Sequence, residues 1–449
     1  MGALIGLACA SPQLPVPHQA WQRLQGSVKP FVKEQELGKP RNKSYPSVSS
    51  LYRLPIVLVW LMLFGSLAPL AILLTGATPA LQASRSQFLG NVPLLGHHFK
   101  SLEQWYASHV PPVQELRPLT PFPDSWEGSW PEADKNYFRL ERWFGDNLGL
   151  RDLMIRTKNE LDYQLFRSSS RVYFGKDDYI YGRPLTDREL PATEEVLKDP
   201  SSITAVHQGI TELAESLSKR GMTPIFIFPM QKQYLTPDNL PFFAPRLPQN
   251  SHFMQLYQSL KDDSTLHFVD VFEILKKLRE THQIFYKQDF HWTHASAMAV
   301  SEVTVNLIAE LEGSSHQWQD AIEVEPKPFV GSETRFSARL NAQEQIMEPE
   351  LVKSWSGEGF KPLDAKTTGL EFVTNPTAPE GLLPPTCLYG NSFSDGMNFA
   401  GLPDHFQKLT KLDRQQPLSK IPELTEGRCK YVIIQVLDIQ SAHWLSLKK

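Results

Sequence analysis

The sequence predicts an α/β domain built on a mainly parallel sheet. Three features carry that prediction: short apolar runs rich in β-branched and aromatic residues, helix-period segments alternating with them, and turn or capping residues at the junctions. The stretch FRLERWFGDNLGLRDLMIRTKNELDYQLF (138–166) reads as helical segments with one apolar face. SRVYFGKDDYIYG (170–182) reads as two aromatic-rich strands turned at Lys176, Asp177 and Asp178. Ile203, Val206, Ile210, Leu213 and Leu217 recur at helical spacing, Gly221 stands where such a helix would end, and PIFIFPM begins a strand at Pro224. LHFVDVFEIL (266–275) repeats the strand-then-helix signature. A further helix is predicted from Thr293, with Val300, Val303, Leu307, Ile308 and Leu311 on one stripe. TCLYG and CKYVIIQVL supply two more strands. Residues 325–380 carry little pattern and many prolines, and an irregular or β-hairpin insertion is expected there.

The chain of 449 residues is 41% hydrophobic and 21% charged, an ordinary balance for a sizeable folded protein. Its exceptional segment is residues 54–74, LPIVLVWLMLFGSLAPLAILL, which has no charge and is long enough to cross the ~30 Å hydrocarbon core of a membrane as a helix. Pro55 and Pro69 near its ends suit a membrane helix better than a packed soluble one. Of the 45 basic and 49 acidic residues, seven and two precede Leu54, whereas Arg85 and Lys100 are the basic residues in the thirty that follow the span. That asymmetry predicts a cytoplasmic N-terminus and an extracytoplasmic remainder with net negative charge, which argues against nucleic-acid binding. A cleaved signal peptide is the competing reading, with Thr78, Pro79 and Ala80 as a small-residue cleavage site. The expected organisation is a disordered cytoplasmic tail (1–53), a single transmembrane helix (54–75), an extended Pro-rich lead-in (76–133) and a globular domain (134–449). Cys387 and Cys429 lie beyond the span, where a disulfide persists, but in core strands where two free thiols are equally at home.

Two short stretches carry chemistry. In LLPPTCLYGNSFSDG (382–396) an apolar run stops at Gly390 and presents Ser392, which is one way to hold a hydroxyl at the open edge of a parallel sheet; a plain turn is the other reading. In IFYKQDFHWTHASA (284–297) Asp289 and His291 are two apart, so in extended chain their side chains share one side. Thr293 is a candidate helix cap, which puts His291 on the loop between a strand end and a helix start. A carboxylate at Asp289 would fix the imidazole tautomer and leave the other ring nitrogen basic, as a serine nucleophile requires. His282 and His294 could join His291 and Asp289 as metal ligands, but no Cys or second carboxylate completes the set, and neither metal nor cofactor is called for. Trp126 and Trp130, beside acidic residues, suit either sugar stacking or packing.

DFHWT followed by GNSFS resembles the D-x-H-W-T and G-x-S-x-S motifs of the SGNH-hydrolase-like O-acetyltransferases of the alginate AlgJ and AlgX type. FGKDDYIYG is similar to that family's G-K-D-G-W-L-F turn, and PMQKQYLTPDNLP to its P-x-x-K-x-x-Y-P-x-x-L-P stretch. The resemblance spans roughly residues 135 to 440. It implies an SGNH-hydrolase-like fold, with the mainly parallel sheet flanked by helices and preceded by the single transmembrane helix. It also implies Ser392 as nucleophile, His291 as general base and Asp289 as the carboxylate that orients it. Two departures stand out: Asn391 where the family often has a small Thr, and Asp178 where the tight turn has Gly. The 57 residues after Ser392 leave no room for the C-terminal carbohydrate-binding module of the AlgX type, so the membrane-anchored AlgJ-like arrangement is expected.

The chemistry so implied is a two-step acetyl transfer through an acyl-serine to a polysaccharide hydroxyl, with backbone N–H groups after Gly390 facing the oxyanion. A membrane-bound O-acyltransferase partner would supply the acetyl group, and the setting would be the periplasmic side of the inner membrane. Two other readings share the fold. One is a carbohydrate esterase or deacetylase, with water as acceptor; the other is a polysaccharide-binding or assembly scaffold, which would not need Asp289, His291 and Ser392 together.

Overall fold

A computed structural model of the chain describes residues 110–115, 117–121, 134–147, 151–340, 345–353, 360–362, 369–372 and 381–448. All of them fall in one compact unit, Gly65–Lys449; the other unit, Met1–Phe64, lies outside the described residues. Helices α1 (Asp134–Asn147) and α2 (Arg151–Phe166) lead into a hairpin of β1 (Val172–Phe174) and β2 (Ile180–Gly182). Its turn carries Asp177 and Asp178 at φ of 52° and 64°. A short polar side chain tolerates this left-handed region better than most, so Asp178 serves where the motif usually has glycine.

The framework is a seven-stranded sheet. After α3 (Leu190–Val196) and α4 (Pro200–Ser218) comes β3 (Thr223–Ile227); α5 (Lys232–Leu235) and α6 (His252–Lys261) precede β4 (His267–Val269), and α7 (Val271–Leu278) and α8 (His294–Glu312) follow it. Next are β5 (Val324–Phe329), α9 (Ser332–Ser337), β6 (Ile346–Leu351), β7 (Phe360–Pro362) and β8 (Gly369–Phe372). The chain finishes with β9 (Thr386–Tyr389), α10 (Ser392–Phe399), β10 (Leu409–Leu412), α11 (Ile421–Thr425), β11 (Tyr431–Gln435) and α12 (Ser441–Leu447). The strand order is β4-β3-β11-β9-β10-β8-β7. The first five are mutually parallel, and β8 and β7 add an antiparallel edge. Every residue of β9 and β11 is buried, which is why both read as nearly unbroken apolar runs: a parallel sheet has helices on both faces.

The helix α4 buries Val206, Ile210, Leu213 and Leu217 as its periodicity predicts. Past its end, Gly221 at φ 77° turns the chain back so that its N–H and that of Met222 reach the Ser218 and Leu217 carbonyls at 3.0 and 3.1 Å. The helix α8 starts where Thr293 predicts, its Oγ1 accepting the Ser296 N–H at 3.2 Å. Its buried face coincides with the predicted stripe only at Val300, Ile308 and the partly buried Leu307. Val303 and Leu311 are each 40% exposed, while Ala297, Val300, Ser301, Thr304 and Ile308 are enclosed. Small side chains let this helix pack closely, so Ala, Ser and Thr mark its inner face and the larger Val303 and Leu311 turn outward.

Strand β10 has no counterpart among the sequence expectations. Its residues Leu409, Thr410, Lys411 and Leu412 are all buried, because the Lys411 ammonium finds partners inside. The segment expected to be irregular or a hairpin contains the β5–β6 ribbon, registered Val324↔Leu351 to Phe329↔Ile346, and contributes β8 to the main sheet beside β10. Cys387 of β9 and Cys429, just before β11, form a disulfide with Cα atoms 5.6 Å apart. Among the described residues no helix is long and apolar enough to cross a membrane; the predicted span at 54–75 lies outside them.

Candidate active site

Parallel sheets deliver functional residues at the carboxyl ends of their strands, and β9 does so here. Past Tyr389 the chain breaks at Gly390, Asn391 caps α10 by accepting the Phe393 N–H on its Oδ1 at 3.0 Å, and Ser392 is the first helical residue. Gly390 is required by space. A Cβ there would stand 2.6 Å from Ser394 Oγ, 2.8 Å from Ser394 Cβ and 3.0 Å from Gln435 Cβ.

The second half of the site is the loop entering α8. Trp292 is 2% exposed, and its Nε1–H donates to the Phe393 carbonyl at 3.2 Å, so the D-F-H-W loop is fastened to the helix that carries Ser392. His291 Nε2 then lies 2.7 Å from Ser392 Oγ, and its Nδ1 2.6 Å from Asp289 Oδ1. The buried Asp289 carboxylate also accepts the His291 backbone N–H at 3.0 Å and the Ser332 N–H at 2.7 Å. Burial alone would raise its pKa. The hydrogen bond from His291, the charge of that ring and the two backbone donors outweigh burial and hold it well below the usual carboxylate range. An ionised carboxylate only accepts, so Nδ1 carries the proton and Nε2 is left to accept from the serine hydroxyl. Ser392 and His291 are both half-buried, open enough for a substrate to reach.

The structure thus brings together all three residues singled out in the sequence, and it separates Ser392 from the other serine of the motif. Ser394 is fully buried; its hydroxyl donates to the Asn391 carbonyl at 2.6 Å and accepts from the buried Lys411, which also pairs with Asp395 at 2.7 Å. Burial pushes the Lys411 ammonium down, against the pull of Asp395. This cluster locks the first turn of α10. Asn391, the departure from the family pattern, donates through Nδ2 to Gln440 Oε1 at 3.0 Å and so ties the turn to the loop after β11. His282 Nδ1 meets Thr281 Oγ1 at 2.8 Å; the His294 ring packs beside Tyr286 and Phe399, and its pKa is lowered by burial and by the nearby His291. Trp126 and Trp130 lie outside the described residues.

Sequence reasoning missed the contribution of 331–333. Gly331 passes so close to the loop carrying Asp289 and His291 that a Cβ would sit 1.8 Å from the Gln288 carbonyl oxygen, and only that approach lets the Ser332 amide reach Asp289. The signal was a Gly-Ser-Glu-Thr helix start inside an otherwise patternless stretch. A cleft of about 580 Å³ lined by Tyr163, Arg167, Asp178, Gln288, Thr334 and Arg339, among others, reaches this region through Gln288 and Thr334 and does not include Ser392 or His291.

Residues 172–407, more than half of the chain, match the family model described as SGNH hydrolase-like domain, acetyltransferase AlgX. The chain belongs to that family. This AlgX-type SGNH domain spans the hairpin, the parallel strands β3, β4 and β9, and both halves of the Asp289, His291 and Ser392 chain. Among solved structures, the O-acetyltransferase domain of Pseudomonas putida AlgJ is 13% identical over 60% of this chain and 92% of its own, with a TM-score of 0.40. Bacillus cereus PatB1 is 13% identical over 54% and 91%, at 0.39, and Pseudomonas aeruginosa AlgX 14% over 62% and 65%, at 0.37. Likenesses at that level add nothing to the family match. No curated protein matches the chain.

Proposed function

We propose that this acetyltransferase-type SGNH domain transfers an acetyl group, through an acyl-serine at Ser392, to a hydroxyl of a polysaccharide. The observation that carries the reading is the unbroken hydrogen-bonded chain from Asp289 through His291 to Ser392, 2.6 and 2.7 Å per link, in a member of an acetyltransferase family. In the first step the Ser392 hydroxyl proton passes to His291 Nε2 while Oγ attacks the acetyl carbonyl carbon of the donor. The oxyanion is met by backbone N–H groups that follow Gly390, apart from those of Phe393, Ser394 and Asp395, which Asn391 already holds. The imidazolium returns its proton to the leaving group, and acetyl-serine remains. In the second step a sugar hydroxyl gives its proton to His291 Nε2 and attacks the acetyl carbon, and Ser392 leaves with the proton restored. Water in place of the sugar would make the same site an esterase.

The setting we propose is extracytoplasmic, on the periplasmic face of the inner membrane. Residues 54–75 would form the anchor, the N-terminus would be cytoplasmic, and a membrane-bound O-acyltransferase would supply the acetyl group. The Cys387–Cys429 disulfide supports an oxidising compartment, and the charge step across residue 54 supports the orientation.

The test uses the full chain purified in detergent, a chromogenic acetyl ester and intact-mass measurement. The wild type is expected to turn the ester over and to gain about 42 Da, the increment of one acetyl group on serine. Ser392→Ala should abolish both, and His291→Ala should prevent labelling. A folded wild type that neither labels nor turns over would overturn the acyl-serine reading and leave the scaffold role in its place. Labelling followed by acetyl release to water, with no transfer to any offered glycan, would favour the esterase.

A further inference from the structure

The motifs FGKDDYIYG and PMQKQYLTPDNLP take no part in the acyl-transfer steps, yet they meet behind Asp289. Lys232, from the second of them, is 1% exposed. Its ammonium donates to the Ile180 carbonyl of β2, to the carbonyls of Lys287 at 3.2 Å and Asp289 at 2.9 Å, and to Glu333 Oε2 of α9 at 2.5 Å. The other oxygen of Glu333 accepts the Gly182 N–H at 2.5 Å, and the Tyr181 ring centre lies 4.8 Å from the ammonium. Burial pushes the Glu333 carboxyl up, while the Lys232 charge and hydrogen bond pull it back.

A buried ion pair is a poor stabilising device, since the desolvation of both charges offsets their attraction and well-packed neutral residues often do as well. What it supplies is fixed geometry. Here that geometry bears on a single residue from two sides. Lys232 holds the main-chain carbonyl of Asp289, and Glu333 directly follows Ser332, whose amide holds Asp289 Oδ2 at 2.7 Å. The Glu333 and Thr334 amides also reach the Gln288 carbonyl, at 3.2 and 3.3 Å. Asp289 is therefore held at its main-chain carbonyl by one end of the ion pair, and at its carboxylate by the residue next to the other end.

We propose that Lys232 and Glu333 are positioning residues for the acyl-transfer site, setting the direction of the Asp289 carboxylate and through it the orientation and tautomer of His291. The proposal rests on the acyl-transfer reading, and it has one readout that does not depend on turnover. The full-length protein, labelled with ¹⁵N-histidine, is compared with Lys232→Met, Glu333→Gln and the double variant, which removes both charges and leaves an amide oxygen in place of the Glu333 carboxylate to accept the Gly182 N–H. Three quantities are read: the melting temperature, the far-downfield Nδ1–H resonance of His291, and kcat and KM for the acetyl ester.

The double variant is expected to melt close to the wild type while the downfield resonance shifts or disappears and kcat falls tenfold or more, with KM changed less than about twofold. If it folds and keeps both the resonance and kcat, the pair is only structural and the proposal fails. Should the double variant not fold, Glu333→Gln alone is read by the same two criteria. A wild type that shows the resonance but no turnover, with the resonance lost in the variants, would end the acyl-transfer reading and keep the positioning role. An active wild type whose variants match it in kcat and resonance would do the reverse.

Discussion

Replacing Asp289 by Asn tests the site at the point where its geometry is most constrained. The carboxylate accepts three N–H donors: Nδ1 and the backbone amide of His291 on Oδ1, and the Ser332 amide on Oδ2. An amide has one oxygen, so in either orientation its NH₂ group confronts at least one of those donors. If the oxygen faces Ser332, the NH₂ faces the ring and forces Nδ1 to become the acceptor. Nε2 then carries the proton and can no longer take one from Ser392. If the oxygen faces the ring, the buried Ser332 N–H loses its acceptor, at a cost to stability of about 1–3 kcal/mol, and the imidazolium formed in each step loses its counter-charge. A triad that loses its carboxylate in this way drops about 10³- to 10⁴-fold in kcat, or about 4–5 kcal/mol of transition-state stabilisation. The assay is kcat/KM for an acetyl ester, beside the melting temperature followed from neutral to acid pH. The depressed pKa means that Asp289 contributes stability above the ordinary carboxyl pKa and loses it as pH falls from that value through its own depressed pKa. The stability gap between wild type and Asp289→Asn should therefore narrow as the solution is acidified. An Asp289→Asn protein that keeps more than a tenth of wild-type kcat/KM would refute the argument that this carboxylate sets the tautomer.

Three further outcomes follow from other parts of the molecule. Gly390→Ala puts a Cβ 2.6 Å from Ser394 Oγ and 3.0 Å from Gln435 Cβ; the strain should lower stability by about 1–3 kcal/mol and move Ser392 enough to cut ester turnover more than tenfold, which thermal melting and kinetics will check. Removing the disulfide with Cys387→Ala/Cys429→Ala opens a link across 42 residues, and the chain-entropy model sets the loss at about 4 kcal/mol, read as a lower urea midpoint with a steeper slope, since the unfolded chain is less compact. Asp438 is buried, and burial pushes its carboxyl up to about 7 despite the Gln231 and Ile439 amides that hold it. A raised carboxyl pKa favours folding below the ordinary carboxyl range and loses that contribution as pH rises through about 7. The wild type should thus lose stability between about pH 4 and 7, with a slope that Asp438→Asn flattens, in denaturant melts at several pH values.

Much of the site was legible because its parts are local. The two-residue spacing of Asp289 and His291 places both side chains on one side of an extended segment whatever surrounds them, Thr293 announces the helix that follows, and Gly390 announces the break that frees Ser392. The strands β3, β9 and β11 were legible for a similar reason: burial on both faces leaves a short apolar run bounded by turn residues. What the sequence could not express is which distant groups share a space. Lys411 lies in a strand the sequence does not announce, and its burial makes sense only once Ser394 and Asp395 are placed opposite it. Residues 331–333 read as patternless until Gly331 lets them touch the loop at Gln288. Cys387 and Cys429 suit bonded and free states equally until β9 and β11 are set side by side. The outward turn of Val303 and Leu311 on α8 likewise depends on which neighbours need close packing, since periodicity fixes a stripe but not the side on which the sheet lies. Sequence alone set Asp289 beside His291 and put Ser392 at a chain break, because these placements follow from backbone periodicity, capping and turn residues. The tertiary structure decided their separation and the buried groups that hold them, because those distances come from packing segments far apart in the chain.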